Sequence, residues 1–330
     1  METGRRRQNQ NAENMNVLIT GGLGYIGGRV AQHLAQSTAF RLVLSSRQER
    51  PELPQWLSQG GIIPHCELLR SGGKIWFGID AVVHFGTANE TVCNQNATAA
   101  LLENAVGTLQ LLEQCAGKVR RFIYFSTIHV YGSPLRGVLS EEMRPRPIQP
   151  YAIAHRTAED FVFAQSARSG MEGTVCRLAN AIGAPWSASV NRWTLVSNDL
   201  CRQAVNERTL RLKSSGKQWR SFVTLTDVAL AVEHLLRQPY ATEHESLYNL
   251  GAVSPMRIIS LAELIADRCK HILGFRPEIV LPSVEDPEHV ETFEVKMDRL
   301  AAAGFKPNAR YADEIDDTLR YCAAAAFRRS

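Results

Sequence analysis

The sequence predicts an α/β protein: a doubly wound domain with a parallel sheet and helices on both faces, joined to a smaller C-terminal substrate-binding domain. Three observations carry this. From Met15 to Leu178, short β-branched apolar runs alternate with longer stretches of helical periodicity, the pattern of stacked βαβ units. After Asn180 the alternation stops, and residues 184–220 mix Pro, Ser, Asn, Trp and Arg around one helical stretch. The chain has 330 residues, which at roughly 100–200 residues per domain suits two domains.

Residues 1–14, METGRRRQNQNAEN, are polar and read as a disordered leader. Val17–Thr20 is the first strand, followed by a helix over Ile26–Ala35 whose apolar face is Ile26, Val30 and Leu34. Arg41–Ser45, Ile62–Ile63 and Ala81–Phe85 read as further strands, then Cys93–Cys115 as a long helix. Phe122–Ser126 and Thr174–Leu178 are strands on either side of a helix over Tyr151–Arg168. Beyond the irregular stretch, Phe222–Val232 reads as a strand end and helix, Ser246–Leu250 as a strand, and 260–273 as an amphipathic helix with Leu261, Leu264, Ile265, Ile272 and Leu273 on one side. The expected sheet domain is therefore 15–180 with 222–251, and the substrate domain 181–221 with 252–330.

Composition sets outer bounds. With 45% hydrophobic and 21% charged residues, the chain is neither disordered, fibrous nor a small disulfide scaffold. The net charge of +4 comes from terminal arginines, and without residues 1–14 and 328–330 there are 32 basic against 31 acidic residues. That balance lacks the basic excess of a nucleic-acid binder. No apolar run approaches the ~18–20 residues that span a bilayer, and the N-terminus has no apolar signal segment, so no membrane partner and a cytoplasmic location are expected. The seven cysteines never form a C-x-x-C pair, which argues for free thiols and against a metal site.

Gly21, Gly24 and Gly27 stand at G-x-x-G-x-x-G spacing, directly after the first strand and at the opening of its helix. Without Cβ atoms the backbone turns tightly and approaches a pyrophosphate, while the helix N-terminus offers N–H groups and a partial positive charge. This predicts dinucleotide binding. At the end of the second strand an acidic residue would read the ribose of NAD. Here the sequence is Ser45-Ser46-Arg47, with no carboxylate, and Ser46 and Arg47 suit a 2′-phosphate. NADP is therefore favoured over NAD.

Ordered motifs now resemble a family, the extended short-chain dehydrogenase/reductases of the nucleotide-sugar epimerase/dehydratase group, over roughly residues 15–322. They are Thr20–Gly27, Asp80–Gly86, Asn104 within 103–108, Ser126-Thr127 ahead of Val130-Tyr131-Gly132, Tyr151, Arg177–Asn180 with Gly183, Arg220–Val223 ahead of Asp227, and Tyr248–Gly251. The resemblance implies a Rossmann domain for NAD(P) and a smaller domain closing over a nucleoside-diphosphate sugar. It implies Thr127 and Tyr151 as catalytic residues, and cofactor contacts from Gly21, Gly24, Tyr25, Ile26, Gly27, Glu67, Leu68, Phe85 and Gly86. Substrate contacts fall on Thr87, Thr127, Asn180 and Arg220, the last near the pyrophosphate. Family members often dimerise through a four-helix bundle, so a homodimer through about 93–115 and 151–168 is expected, with Phe161, Val162 and Phe163 exposed on the second segment.

One catalytic position departs from the family. The lysine expected four residues after the tyrosine is His155. A free tyrosine, with pKa about 10, is ionised to only about one part in a thousand at pH 7, and a fixed positive charge is the usual remedy. Histidine, largely neutral at pH 7, can still donate a hydrogen bond to the nicotinamide ribose. Three functions stay open: a Tyr151–His155 enzyme acting as a sugar-nucleotide epimerase or ketosugar reductase, a binding protein of the same fold with weak or no catalysis, or an enzyme of another chemistry on the same scaffold. Dehydration is disfavoured, because Ile128-His129 replace the Asp-Glu pair that the dehydratase branch carries.

Overall fold

The computed structural model describes residues 15–46, 54–58, 60–64, 76, 78–240, 245–252, 254–283 and 291–327. The chain opens with β1 (Met15–Thr20), α1 (Tyr25–Leu34), β2 (Phe40–Ser46), β3 (Gly60–Pro64) and β4 (Ala81–His84). Helical pieces α2 (Glu90–Gln95), α3 (Ala97–Ala100) and α4 (Gly107–Cys115) follow, then β5 (Arg121–Thr127), β6 (Gly137–Leu139), α5 (Pro150–Ser169), β7 (Glu172–Leu178) and β8 (Asn180–Ile182). The remainder holds α6 (Val196–Glu207), β9 (Thr209–Arg211), β10 (Trp219–Arg220), β11 (Phe222–Thr224), α7 (Leu225–Arg237), β12 (Glu245–Leu250) and β13 (Met256–Arg257). It closes with α8 (Ile258–Leu273), β14 (Glu278–Val280), β15 (Phe293–Val295), α9 (Asp298–Ala302) and α10 (Tyr311–Phe327).

Two compact units divide the chain. The first takes 1–134, 142–177 and 229–248, and the second 135–141, 178–228 and 249–330. In the first, seven strands form one sheet in the order β12-β7-β5-β4-β1-β2-β3, with β3/β2, β2/β1, β1/β4 and β4/β5 all parallel. The winding reverses between β1 and β4, so their carboxyl ends flank the crevice where doubly wound sheets take ligands. The strands are buried on both faces: Val17, Leu18 and Ile19 of β1 and Val82 and Val83 of β4 are fully shielded, as near-continuous β-branched runs predict.

The segment expected as one helix from Cys93 to Cys115 is broken. Asn96 sits in extended backbone (φ −144°, ψ 97°) and its side chain accepts from Ala99 N–H, ending α2 and capping α3. An asparagine amide competes with helical hydrogen bonding in this way, and the apolar spacing around it hides the interruption. Residues 101–106 then wind as a π-helix before α4.

Helix α5 starts at Pro150, where the missing N–H costs nothing, and stops at Gly170 in the left-handed region (φ 70°). Its buried stripe is mostly small: Ala152, Ala154, Ala158 and Ser166. The exposed triplet expected on it does not exist, for Val162 is fully buried and Phe161 and Phe163 pack against the core below the sheet. Exposed apolar side chains in this region lie instead on the segments before α4 and at the start of α5: Val92, Leu101, Leu102, Val106 and Ile153.

In the second unit, α6, α8 and α10 pack through Leu200, Ala204, Leu261, Ile265, Ile315 and Leu319, with Leu210 and Phe222 beside them. The α8 seam is completed by Ala262, Ala266 and Cys269, with Leu264 and Leu273 only partly covered. Among the described residues, no helix is long and apolar enough to cross a membrane.

Candidate functional site

The glycine loop lies at the β1/β4 crossing. Gly21 has φ +66°, and a Cβ there would stand 2.9 Å from the Phe85 carbonyl carbon. A Cβ on Gly27 would fall 2.4 Å from the Gly21 carbonyl oxygen. Both positions therefore exclude any larger residue, and the loop is pressed against Phe85–Gly86, just past β4. Gly24 is the N-cap of α1, with no side-chain cap and no acidic residue in the first turn. An open helix N-terminus of this kind fits a pyrophosphate. Tyr25 is buried and Ile26 half-buried, so what they can offer a phosphate is backbone N–H. Phe85 stacks on Phe125 at 4.3 Å between centroids, and Thr87 N–H donates to the Phe85 carbonyl. Ser46 is buried at the end of β2. Arg47, Glu67 and Leu68 lie outside the described residues.

Thr127 ends β5, next to the crossing. Its hydroxyl oxygen accepts from His129 N–H at 3.2 Å, which leaves its O–H able to donate to a substrate oxygen. Tyr151, in the first turn of α5, is half-buried against Ala88, Cys93, Ala100 and Ala154. His155, one turn on, presents its ring edge-on to Tyr151 at 4.5 Å between centroids. The sequence thus brings Tyr151 and His155 together, but His155 is not at the surface of the crevice. It is 1% exposed, its Nδ1 lies 2.6 Å from the Tyr124 hydroxyl, and its Nε2 is buried without a hydrogen-bond partner among the described residues. Burial pushes its pKa down to about 3, so the ring is neutral throughout the neutral range. An orphaned nitrogen on the ring packed against Tyr151 fits a ribose hydroxyl.

A charge cluster missed in the sequence fixes this geometry. Glu159, fully buried on α5, accepts from Ser126 Oγ (2.6 Å), Arg177 Nε (3.0 Å) and Nη2 (2.7 Å), and Arg156 Nη1 (2.9 Å). It ties α5 to the residue before Thr127 and to β7. Such a pair is stable only because each charge is met by several hydrogen bonds, and Arg177 in a strand buried along its whole length was the signal for it. Asn104 plays a similar part on the loop after β4: it accepts from Ala88 N–H and donates to the Ala88 carbonyl. His84, bonded to Thr20 and Thr108, is a core residue.

Asn180 and Arg220 belong to the second unit. Asn180 Nδ2 donates to the Ser221 carbonyl at 3.0 Å. Arg220 donates to the Trp219 carbonyl and to Gln218 Oε1, and among the described residues it has no carboxylate partner, so its charge stays available for an anion.

Residues 17–251 match the model of the NAD dependent epimerase/dehydratase family. Among curated proteins, the chain is 25% identical over 284 residues to UDP-glucuronic acid decarboxylase 6 of Arabidopsis thaliana, covering 83% of this chain and 78% of that one. Among solved structures, it superposes on a UDP-N-acetylglucosamine 4-epimerase from Methanobrevibacter ruminantium with TM-score 0.80 and 20% identity, covering 95% and 99% of the two chains. A UDP-glucuronic acid 4-epimerase from Bacillus cereus, in complex with UDP-glucuronic acid and NAD, gives TM-score 0.75 and 20% identity, with 94% and 100% covered.

Proposed function

The chain belongs to the NAD dependent epimerase/dehydratase family, and from that premise we propose that it acts on a nucleoside-diphosphate sugar by tyrosine-assisted hydride transfer, as an epimerase or a ketosugar reductase. The observation that carries this is the grouping of Tyr151 and the orphaned Nε2 of His155 on one helix turn, with Thr127 at the end of the strand beside the glycine crossing. A bound nicotinamide dinucleotide would supply the hydride acceptor or donor. Gly21, Gly24 and Gly27 would cradle its pyrophosphate, and Nε2 of His155 would meet a ribose hydroxyl. Thr127 donates to the reacting oxygen and Tyr151 exchanges the proton of that hydroxyl. Arg220 would take the pyrophosphate of the sugar nucleotide by its planar fork, with Asn180 and Thr87 as further contacts. Elimination lacks its carboxylates, since Ile128 is fully buried and apolar. A specific observation favours the second reading: His155 is neutral and gives Tyr151 no positive charge, which suits a binding protein with weak catalysis. Thermal-shift screening of sugar nucleotides followed by mass-spectrometric product analysis separates the two; saturable binding of both ligands with no product would leave only the binding reading.

The dinucleotide proposed is NADP, with NAD as the alternative. The Bacillus cereus neighbour holds NAD, but here β2 ends in Ser45-Ser46 with Arg47 next and no carboxylate to repel a 2′-phosphate. Arg47→Asp is expected to reverse or erase the preference in calorimetric titrations of both dinucleotides, and equal affinities in wild type and variant would make Arg47 a surface charge only. The protein is further proposed to be a cytoplasmic homodimer. Val92, Leu101, Leu102, Val106 and Ile153 are exposed on segments that pack side by side, α5 against 101–106, and an apolar patch of this kind suits a subunit interface. Leu102→Glu should turn a sedimenting dimer into a monomer at micromolar concentration. A wild type that is already monomeric there would remove this assignment.

A further inference from the structure

We propose that Tyr124 is the positioning residue of the site: its hydroxyl donates to Nδ1 of His155, holds the imidazole in the Nε2–H form, and so offers that N–H to an oxygen of a dinucleotide bound at the β1/β4 crossing. The inference rests on the functional reading above for its ligand, but its first step is a property of the ligand-free protein. Tyr124 is fully buried on β5, and its one hydrogen bond among the described residues is the 2.6 Å contact with Nδ1. Two proton arrangements can make that contact. If Nδ1–H donated to the phenol oxygen, the Tyr124 hydroxyl hydrogen would be buried with no acceptor, and Nε2 would also be left as an unmet lone pair. If Tyr124 donates, only the Nε2–H is unmet. The second arrangement leaves fewer orphaned groups, and each buried orphan is costly.

The surroundings keep the phenol protonated. Burial pushes its pKa well above the usual tyrosine value, and Glu159, Tyr151 and Cys93 act in the same direction. The backbone places the pair near the level of the glycine loop: Tyr124 pairs in register with His84, the last residue of β4, and Phe85–Gly86 beyond it abut Gly21. The remaining N–H belongs to the ring that meets Tyr151 at 4.5 Å between centroids, and it is shielded in the ligand-free protein. A neutral ring with a fixed tautomer is a donor at every pH at which the protein is folded and neutral at this residue.

The test has two readouts. Long-range nitrogen–proton correlation spectra of the ligand-free protein, with the His155 ring assigned by its loss in His155→Gln, should show a protonated Nε2 and an unprotonated Nδ1. In Tyr124→Phe the ring should gain Nδ1–H character, and titration with NADP and with NAD should show about ten-fold weaker binding, the upper range for one neutral hydrogen bond. A wild-type ring protonated at Nδ1 overturns the proposal without any variant. An unchanged tautomer and unchanged affinity in Tyr124→Phe also overturn it, and reduce Tyr124 to a packing residue. Failure of both dinucleotides to bind wild type would overturn the functional reading and the ligand half of this proposal together, whereas normal binding without turnover would touch only the enzymatic claim.

Discussion

Tyr151→Phe is expected to lower turnover of the responsive sugar nucleotide by about a hundred- to ten-thousand-fold, the usual worth of a positioned acid–base group, while leaving both ligands bound. The substitution removes one oxygen from a half-buried ring whose apolar neighbours, Ala88, Cys93, Ala100 and Ala154, are untouched, so folding and affinity should change little. A parallel rise in KM would instead mean that the hydroxyl serves binding. His155→Lys is the informative companion. It brings an ammonium, whose ordinary pKa of about 10.4 lies far above that of an imidazole, to the position where the present ring sits 4.5 Å from Tyr151 between centroids, and a nearby cation lowers a tyrosine pKa. The rising limb of the pH–rate profile should move to lower pH in that variant. Single-turnover and steady-state rates across pH 6–10 would reveal it, and an unmoved limb would mean that proton transfer from Tyr151 does not limit the reaction.

The sheet was legible because its strands are buried on both faces: in Val17–Thr20, Ala81–Val83 and Phe122–Ser126 composition alone marks the element. The glycine loop was legible for a different reason. Gly21 and Gly27 have no room for a Cβ, so the residue type records the geometry directly. The helix over 93–115 misled because apolar spacing reports which face is buried, not whether the ladder is continuous, and the Asn96 side chain breaks it. Phe161, Val162 and Phe163 mislead because three consecutive apolar residues are wider than one core-facing stripe, yet the two flanking rings still pack against the core cluster.

Tyr124 shows where local reading stops. In Phe122–Ser126 it looks like any aromatic core residue, and nothing within 31 residues of it announces the imidazole that its hydroxyl meets. His155 was visible only as a departure from an expected lysine, and its burial was not visible at all. Glu159 and Arg177 are 18 positions apart, and only the fold shows that one carboxylate serves both the β5 end and β7. Polar partnerships of this range depend on the strand order, which pattern reading gives only in outline.

The burial of His155 sets the sign of a stability change with pH. Its folded pKa is pushed down to about 3 by desolvation, against about 6.5 in an unfolded chain. Between those values the unfolded state binds one proton more than the folded state, so this residue favours folding fully above about pH 6.5 and that contribution is lost as the pH falls. The slope for one proton is about 1.4 kcal/mol per pH unit. Other groups, including Glu233, whose carboxyl is held low despite the opposing effect of burial by its bonds to His33 and Arg237, also lose stabilisation in acid, which makes a difference measurement necessary. Urea unfolding of the ligand-free protein at pH 7, 6 and 5 should show wild type losing about 2 kcal/mol more than His155→Gln between pH 7 and 5. A histidine acting as a charged substitute for lysine would need a folded pKa above the unfolded one. It would give the opposite slope, with stability present in acid and lost as pH rises through neutrality. Parallel curves for the two proteins would mean that His155 titrates as it does in the unfolded chain, and the neutral-donor account of the site would fall with that result.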